Sequence, residues 1–294
     1  MALNVTVFKT RTITALLFAV TMLLGFWWNA WSFLLLFSLI HFGCWWEFLK
    51  LLEKIHVTKF HTYTKLGFMA MGYSLLLWFC GAQFQIGSCY LKYNLPIPVS
   101  AAGFILVILG LYLQNSVKPF SFIAALGGLL YISLSCGLMI DLYGMNIEVE
   151  KSSTTFYTAV IFPMIILFSI WINDTMAYIV GSLIGKTPLS KISPKKTWEG
   201  TLGGMLLAIV VMGLIDLYVF GLKKNSDNFH WFVIPAIAAI AGTIGDLFES
   251  KIKRMAGAKD SGNFLPGHGG FLDRFDSLLF AVPAVWVYMK IALQ

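Results

Sequence analysis

Nine stretches of this chain are rich in apolar residues and poor in charge: 12–28, 31–49, 66–86, 96–114, 120–143, 156–184, 201–222, 231–248 and 277–293. Each is close to or longer than the roughly 20 residues a helix needs to cross a bilayer, so the pattern predicts nine transmembrane helices joined by short polar connections. The first run follows Lys9 and Arg11, lacks a small-residue cleavage site and leads straight into the second. It is expected to be a retained helix rather than a signal peptide. The sixth run has 29 residues. As one helix it would measure about 44 Å, against a hydrocarbon core of about 30 Å, so it is expected to protrude into the cytoplasm or to break near Asn173-Asp174. No soluble repeat period and no low-complexity linker interrupts the series.

The polar positions orient the helices. With the N-terminus in the cytoplasm and nine alternating spans, 16 of the 21 Lys and Arg residues fall on the cytoplasmic side and 5 outside. That bias is the one cytoplasmic loops carry, and it puts the C-terminus outside. Trp27, Trp28, Trp31, Trp45, Trp46 and Trp231 sit near span ends, where an aromatic belt belongs.

Composition closes off other classes. Hydrophobic residues make up 58% and charged residues 12% of the 294, and mean hydropathy is +0.78. Soluble domains carry about 25% charged residues, so this chain has too little polar surface for a soluble globule, a disordered chain or a disulfide scaffold. The expected fold is an all-α polytopic integral membrane protein with about nine transmembrane helices. The net charge of +7 is scattered among the spans, which suits anionic membrane lipid and not nucleic acid. Cys44, Cys80, Cys89 and Cys136 form no CxxC pair and are expected as small buried hydrophobes.

Ionisable groups with chemical promise crowd into residues 170–276. This divides the chain into residues 1–150, five helices expected to be scaffold, dimer or lipid-facing structure, and residues 151–294, four helices with the chemistry. Three cytoplasm-facing clusters lie in the second part. The first holds Asn173 and Asp174, and an intramembrane carboxylate is costly and normally faces a polar cavity. The second runs from Ser190 through Ser193, Pro194, Lys195, Lys196 and Thr197 to Gly200, with Gly203 and Gly204 beyond. On charge alone its lysines are membrane anchors. Hydroxyls, amides and ammonium groups at a helix start also suit a polyphosphate, and the glycines permit close approach. The third cluster spans residues 245–276. On a continuing helix Asp246, Glu249, Ser250 and Lys253 share one face, and Asp273 and Asp276 share another. Two carboxylate pairs joined by a glycine-rich loop make a hard-oxygen site suited to Mg²⁺. With Lys253, Arg254, Lys259 and Arg274 around it, the set matches phosphoryl or nucleotidyl transfer. His268 in that loop holds the loop, donates to a phosphate or moves a proton. A transporter would show inverted repeats and polar residues in both halves, and neither is visible. Glu47 and His41 in the second run are expected to make helix-packing hydrogen bonds, and Asp141 and Asp216 to be interfacial.

Residues 250–276 resemble the signature of the phosphatidate cytidylyltransferase (CDP-diacylglycerol synthase) family: Ser250, Lys253-Arg254, Lys259-Asp260, Gly262, Pro266, His268-Gly269-Gly270, Asp273-Arg274 and Asp276, in register. Asn173-Asp174 with Ala177-Tyr178 and Gly181, and the run from Ser193 to Gly200, are similar to the family as well. The resemblance covers residues 170–294. It implies the reaction CTP + phosphatidate → CDP-diacylglycerol + diphosphate with Mg²⁺, in a homodimer of a bacterial plasma (inner) membrane whose active site faces the cytoplasm. A lipid kinase or a CDP-alcohol transferase would share metal and cations, but the sequence has no P-loop and no Asp-rich pattern of that kind. On this reading Asp246 and Asp273 are the principal metal ligands, with Asp276 and Asp174 in support. Lys195, Lys196, Lys259 and Arg274 meet the CTP phosphates, and Lys253 and Arg254 the phosphatidate headgroup. Ser193, Ser250 and His268 assist.

Overall fold

Among the described residues each of the nine apolar runs falls at least in part on a helix, and the connections decide where each helix stops. The computed structural model describes residues 5–114, 118–145, 147–151, 154–158, 160–215, 218, 229–264 and 269–292. Helix α1 (Val5–Trp27) is separated from α2 (Ala30–His56) by a capping box: Ser32 N–H donates to Asn29 Oδ1 at 2.8 Å, and Asn29 N–H to Ser32 Oγ at 3.0 Å. Such a cap satisfies donors that a new helix leaves unpaired. Then come α3 (Thr62–Trp78), the single turn α4 (Leu91–Asn94), α5 (Pro96–Leu113), α6 (Pro119–Gly128) and α7 (Ser135–Gly144). A π-helical turn, Leu129–Leu134, joins α6 and α7 into one rod. The remaining helices are α8 (Ile161–Ile184), α9 (Trp198–Ile215), α10 (His230–Met255) and α11 (Leu272–Ala292).

The chain is a mainly helical, polytopic membrane protein. Among the described residues, seven helices are long and apolar enough to cross a bilayer: α2, α5, the α6–α7 rod, α8, α9, α10 and α11. The runs at 12–28 and 66–86 correspond to α1, whose apolar part is Thr12–Trp27, and to the 17-residue α3.

Several expectations need correction. The run at 66–86 does not stay helical. After Trp78 the chain turns into a hairpin, β1 (Gln85–Ile86) with β2 (Cys89–Tyr90), closed at Gly87 with φ +61. A two-residue turn needs such positive φ, which glycine supplies cheaply. A second hairpin pairs β3 (Ile147–Lys151) with β4 (Thr154–Thr158). It takes the first residues of the 156–184 run, so α8 has 24 residues, about 36 Å at roughly 1.5 Å per residue. That length fits a bilayer with a short overhang, and α8 runs unbroken through Asn173-Asp174. Cys44, Cys80 and Cys136 are buried as expected, but Cys89 is exposed on β2. Trp45 and Trp231 belong to the core and not to an interfacial belt, whereas Trp27 and Trp28 are 72% and 76% exposed.

Packing divides the chain into two discontinuous units, Met1–Ile140 with Ile252–Phe275, and Asp141–Lys251 with Asp276–Gln294. This division differs from the chemical one drawn at residue 150. In the first unit Trp45 stacks on Phe68 and donates to Ser133 Oγ at 2.8 Å, and His41 Nε2 lies 3.0 Å from the same hydroxyl. His41 is thus a helix-packing residue, as expected. In the second unit α8 and α9 pack along their lengths. Asp141 accepts from Trp286 Nε1 at 2.7 Å and pairs with Lys290 at 3.2 Å, a structural role. Asp216 lies outside the described residues.

Candidate active site

In the second unit, glycines bring the polar groups together. A Cβ at Gly200 would sit 2.6 Å from the Ala177 carbonyl, and one at Gly204 would sit 2.6 Å from that of Asn173. Only hydrogen on these α-carbons lets α9 lie this close to α8, as small residues do at membrane helix interfaces. The connection before α9 is fixed by its own bonds. Leu189 N–H donates to Lys196 O at 2.7 Å and Trp198 N–H to Thr187 O at 2.9 Å. The Glu199 carboxylate accepts from the Lys186 and Thr187 amides at 3.2 Å. Thr197 Oγ1 accepts from Gly200 N–H at 3.2 Å, the arrangement of a helix N-cap.

The result is a cavity of about 470 Å³ lined by Asn173, Asp174 and Tyr178 from α8, Ser193, Lys195, Lys196 and Thr197 from the loop, Thr201 from α9, and Thr243 and Asp246 from α10. Five of the expected site residues therefore line one wall system: Asp174, Ser193, Lys195, Lys196 and Asp246. Lys196 Nζ pairs with Asp246 Oδ2, and Ser250 Oγ donates to Asp246 Oδ1 at 3.3 Å. Asn173 is buried. Its amide donates to Asp174 Oδ1 at 3.3 Å, and its Oδ1 has no partner among the described residues. Glu249, expected on the same helix face as Asp246, is fully buried.

The charges of this lining balance, with two lysines against two carboxylates. A polyphosphate would add several negative charges to a neutral cavity. A divalent cation on Asp174 and Asp246 would leave the cavity net positive. Two carboxylates together with substrate phosphates are a usual magnesium environment, and the unpartnered Asn173 oxygen adds a further hard donor. The donor set fits the ion. Among the described residues no three His, Cys, Asp or Glu side chains make a ready-made cage.

In the first unit, the signature loop is built around two carboxylates. Helix α10 ends at Met255, and Gly257 turns the chain at φ +64 while Ala258 N–H returns to Lys253 O at 2.9 Å. Asp273 Oδ2 accepts from Ser261 N–H at 2.9 Å and Gly270 N–H at 2.7 Å, and Asp273 Oδ1 pairs with Lys253 at 2.6 Å. Asp273, expected as a principal metal ligand, is thus engaged by three donors of its own unit. The second carboxylate is Glu47 of α2, which is only 5% exposed. Its Oε2 accepts from Ser261 Oγ at 2.7 Å and from Leu272 N–H at 3.0 Å. A Cβ at Gly262 or at Gly270 would collide with the Glu47 carboxylate.

Glu47 is the residue the sequence reading undervalued. It does hydrogen-bond to a neighbouring helix, through the first amide of α11 at Leu272, and it also takes the Ser261 hydroxyl of the signature loop. The signal is in the sequence, because an intramembrane carboxylate is costly wherever it occurs, at Glu47 as at Asp174. The other expected residues are spread out. Lys259 and Arg274 are exposed, Arg254 donates to Ala258 O at 3.2 Å, and Asp276 is buried with Oδ1 accepting from Ser277 N–H at 2.7 Å. His268 and Pro266 lie outside the described residues.

Comparison with known proteins adds a family. A family model described as the cytidylyltransferase family matches residues 9–292. Chloroplastic phosphatidate cytidylyltransferase 4 of Arabidopsis thaliana is 33% identical over 214 residues, which is 68% of this chain and 54% of that protein. The phosphatidate cytidylyltransferase of Thermotoga maritima is 44% identical over 131 residues, 44% of this chain and 48% of that protein. That of Bacillus subtilis is 37% identical over 165 residues, 56% of each. The chain spans about half the length of these relatives.

Proposed function

Because this chain belongs to the cytidylyltransferase family, we propose that it transfers the cytidylyl group of CTP to phosphatidate, giving CDP-diacylglycerol and diphosphate. The observation that carries this reading is the cavity in which Asp174, Ser193, Lys195, Lys196 and Asp246 converge from two helices and a loop. Relatives named for the same reaction support it.

A phosphatidate oxygen attacks the α-phosphorus of CTP, a P–O bond forms, and the bond to diphosphate breaks. The nucleophile is already an anion, so the main barrier is bringing two anions together, and alignment with charge neutralisation lowers it. Lys195 and Lys196 bind CTP phosphate oxygens. Ser193 and Thr197 offer hydroxyls to the same oxygens. Asp246 and Asp174 would hold magnesium, which would supply electrostatic stabilisation of charge on the phosphates. Lys196, paired with Asp246, would exchange that partner for a phosphate oxygen of bound CTP. Lys253 and Asp273 keep the signature loop in shape, while Arg254, Lys259 and Arg274 present positive charge to phosphate groups, and Asp276 and Ser250 support their neighbours. The division of labour at residue 150, the nine-span count, the cytoplasmic N-terminus and active site, the plasma-membrane location and the homodimer belong to this reading. The cation bias of 16 to 5 supports the orientation.

The test is incorporation of radiolabelled CTP into lipid by the purified protein with phosphatidate, with and without EDTA. EDTA is expected to abolish product and Mg²⁺ to restore it. Asp246→Asn and Asp174→Asn are each expected to cost about 100-fold or more in turnover, the scale for removing one preorganised electrostatic group. Near-normal turnover in both variants would remove them from the metal site.

A further inference from the structure

A second, larger cavity lies wholly within the first unit. Its volume is about 1180 Å³, and Lys50, Lys54, Lys59 and Lys118 line it together with Ser261 and Asn263 of the signature loop. We propose that this cavity binds the phosphate-bearing headgroup of an anionic phospholipid.

The charge is the first reason. Glu53 is the only carboxylate in the lining among the described residues. It is already committed to Lys65 at 2.9 Å and to the Phe60 amide at 2.7 Å. None of Lys50, Lys54 and Lys59 pairs with a carboxylate among the described residues, and Lys118 donates to the His56 carbonyl at 2.8 Å. Four ammonium groups around one concavity repel one another until an anion enters.

The second reason is preorganisation. Lysines that only anchor a helix end point separately into water. Here the segment after α2 is tied down, because Gln114 accepts from His61 N–H at 2.6 Å and donates to the Lys59 carbonyl. Lys50 lies over the Trp46 ring at 5.0 Å. The fourth wall is the loop that Glu47 holds.

The third reason selects lipid over free nucleotide. The cavity sits at the end of α2 and the start of α6, and Val57 and Pro119 add apolar surface to the lining. Basic pockets between transmembrane helices at the cytoplasmic face suit anionic headgroups. Because the wall includes Ser261 and Asn263, a bound headgroup touches the loop that carries the family signature.

Native mass spectrometry of the full-length protein in detergent tests this, with phosphatidate, phosphatidylglycerol, phosphatidylcholine and CTP as separate probes. Phosphatidate and phosphatidylglycerol are expected to be retained over phosphatidylcholine. Retention should fall about tenfold or more in the double variant Lys54→Gln/Lys59→Gln, persist in Lys54→Arg/Lys59→Arg, and be unchanged in Lys92→Gln, which lies outside the cavity. Thermal unfolding of each variant shows that it remains folded. Equal retention of phosphatidylcholine, or retention indifferent to the double variant, would overturn the proposal. Lysine-dependent retention of CTP without lipid would keep the phosphate chemistry and overturn the lipid assignment. Because only binding is read, failure here is separable from failure of the proposed reaction.

Discussion

Glu47 reaches a serine 214 positions away, and its effect should be visible without any enzyme assay. In Glu47→Ala, Ser261 Oγ and Leu272 N–H lose their shared acceptor in a buried place. Each donor left unsatisfied costs about 1–3 kcal/mol, so the melting temperature should fall and amide exchange in the loop should quicken. Glu47→Gln keeps an oxygen acceptor and should lie between. Wild-type melting and exchange in Glu47→Ala would sink the assignment. Asp273 and Asp246 should separate in the same way. Asp273→Asn weakens the pair with Lys253 and is expected to lower stability, whereas Asp246→Asn, at a wetter cavity wall, is expected to spare stability and weaken binding of Mn²⁺ as a magnesium substitute. Identical effects of the two substitutions on melting and on metal binding would contradict that split. Asp174 was legible in the sequence because charge is scarce in apolar runs, and Lys196 because hydroxyls and glycines accompany it in a short connection. The partners of Glu47 were not, since hydrogen bonds across 214 residues leave no periodic trace.

The elements follow the apolar pattern closely where the helix is the cheapest way to satisfy backbone groups in lipid. They depart from it at ends. Helix α3 stops at Trp78 although the apolar run continues, and the start of the sixth run becomes β4. Apolarity alone does not separate a hairpin strand from a helix end. The seam between α8 and α9 makes a prediction of its own. Gly204→Ala would place a methyl group 2.6 Å from the Asn173 carbonyl and 2.8 Å from Ala177 Cβ. Overpacking of this kind costs about 1–3 kcal/mol, and it should push α9 away and weaken CTP binding at the Lys195–Lys196 loop. Gly127→Ala, where nothing lies within 4 Å of the added carbon, is the matched control. It should be neutral or slightly stabilising, because alanine favours a helix over glycine by roughly 0.5–1 kcal/mol. Equal melting temperatures and CTP affinities for the two variants would refute the close-packing account.

At the scale of the whole molecule, orientation is the testable quantity. Cys89 is exposed while Cys44, Cys80 and Cys136 are buried, so one native thiol reports the side of the β1–β2 hairpin. A membrane-impermeant maleimide added to intact cells should label Cys89 from outside. A Lys191→Cys variant lacking Cys89 should be labelled only after the cells are opened. The reverse pattern would invert the orientation drawn from the cations. The sequence by itself determined that this is a membrane protein, where its helices lie, and which residues carry its family signature. Those properties reside in composition and in local spacing, since the bilayer imposes a fixed length and sorts charge. Only the tertiary structure decided which carboxylates face a cavity and which hold a loop. It set Asp246 beside Lys196, committed Asp273 to Lys253 and two amides, and brought Glu47 of α2 to the glycines of a distant loop. A carboxylate's role depends on the donors that reach it, and here most of those donors come from residues far away in the chain.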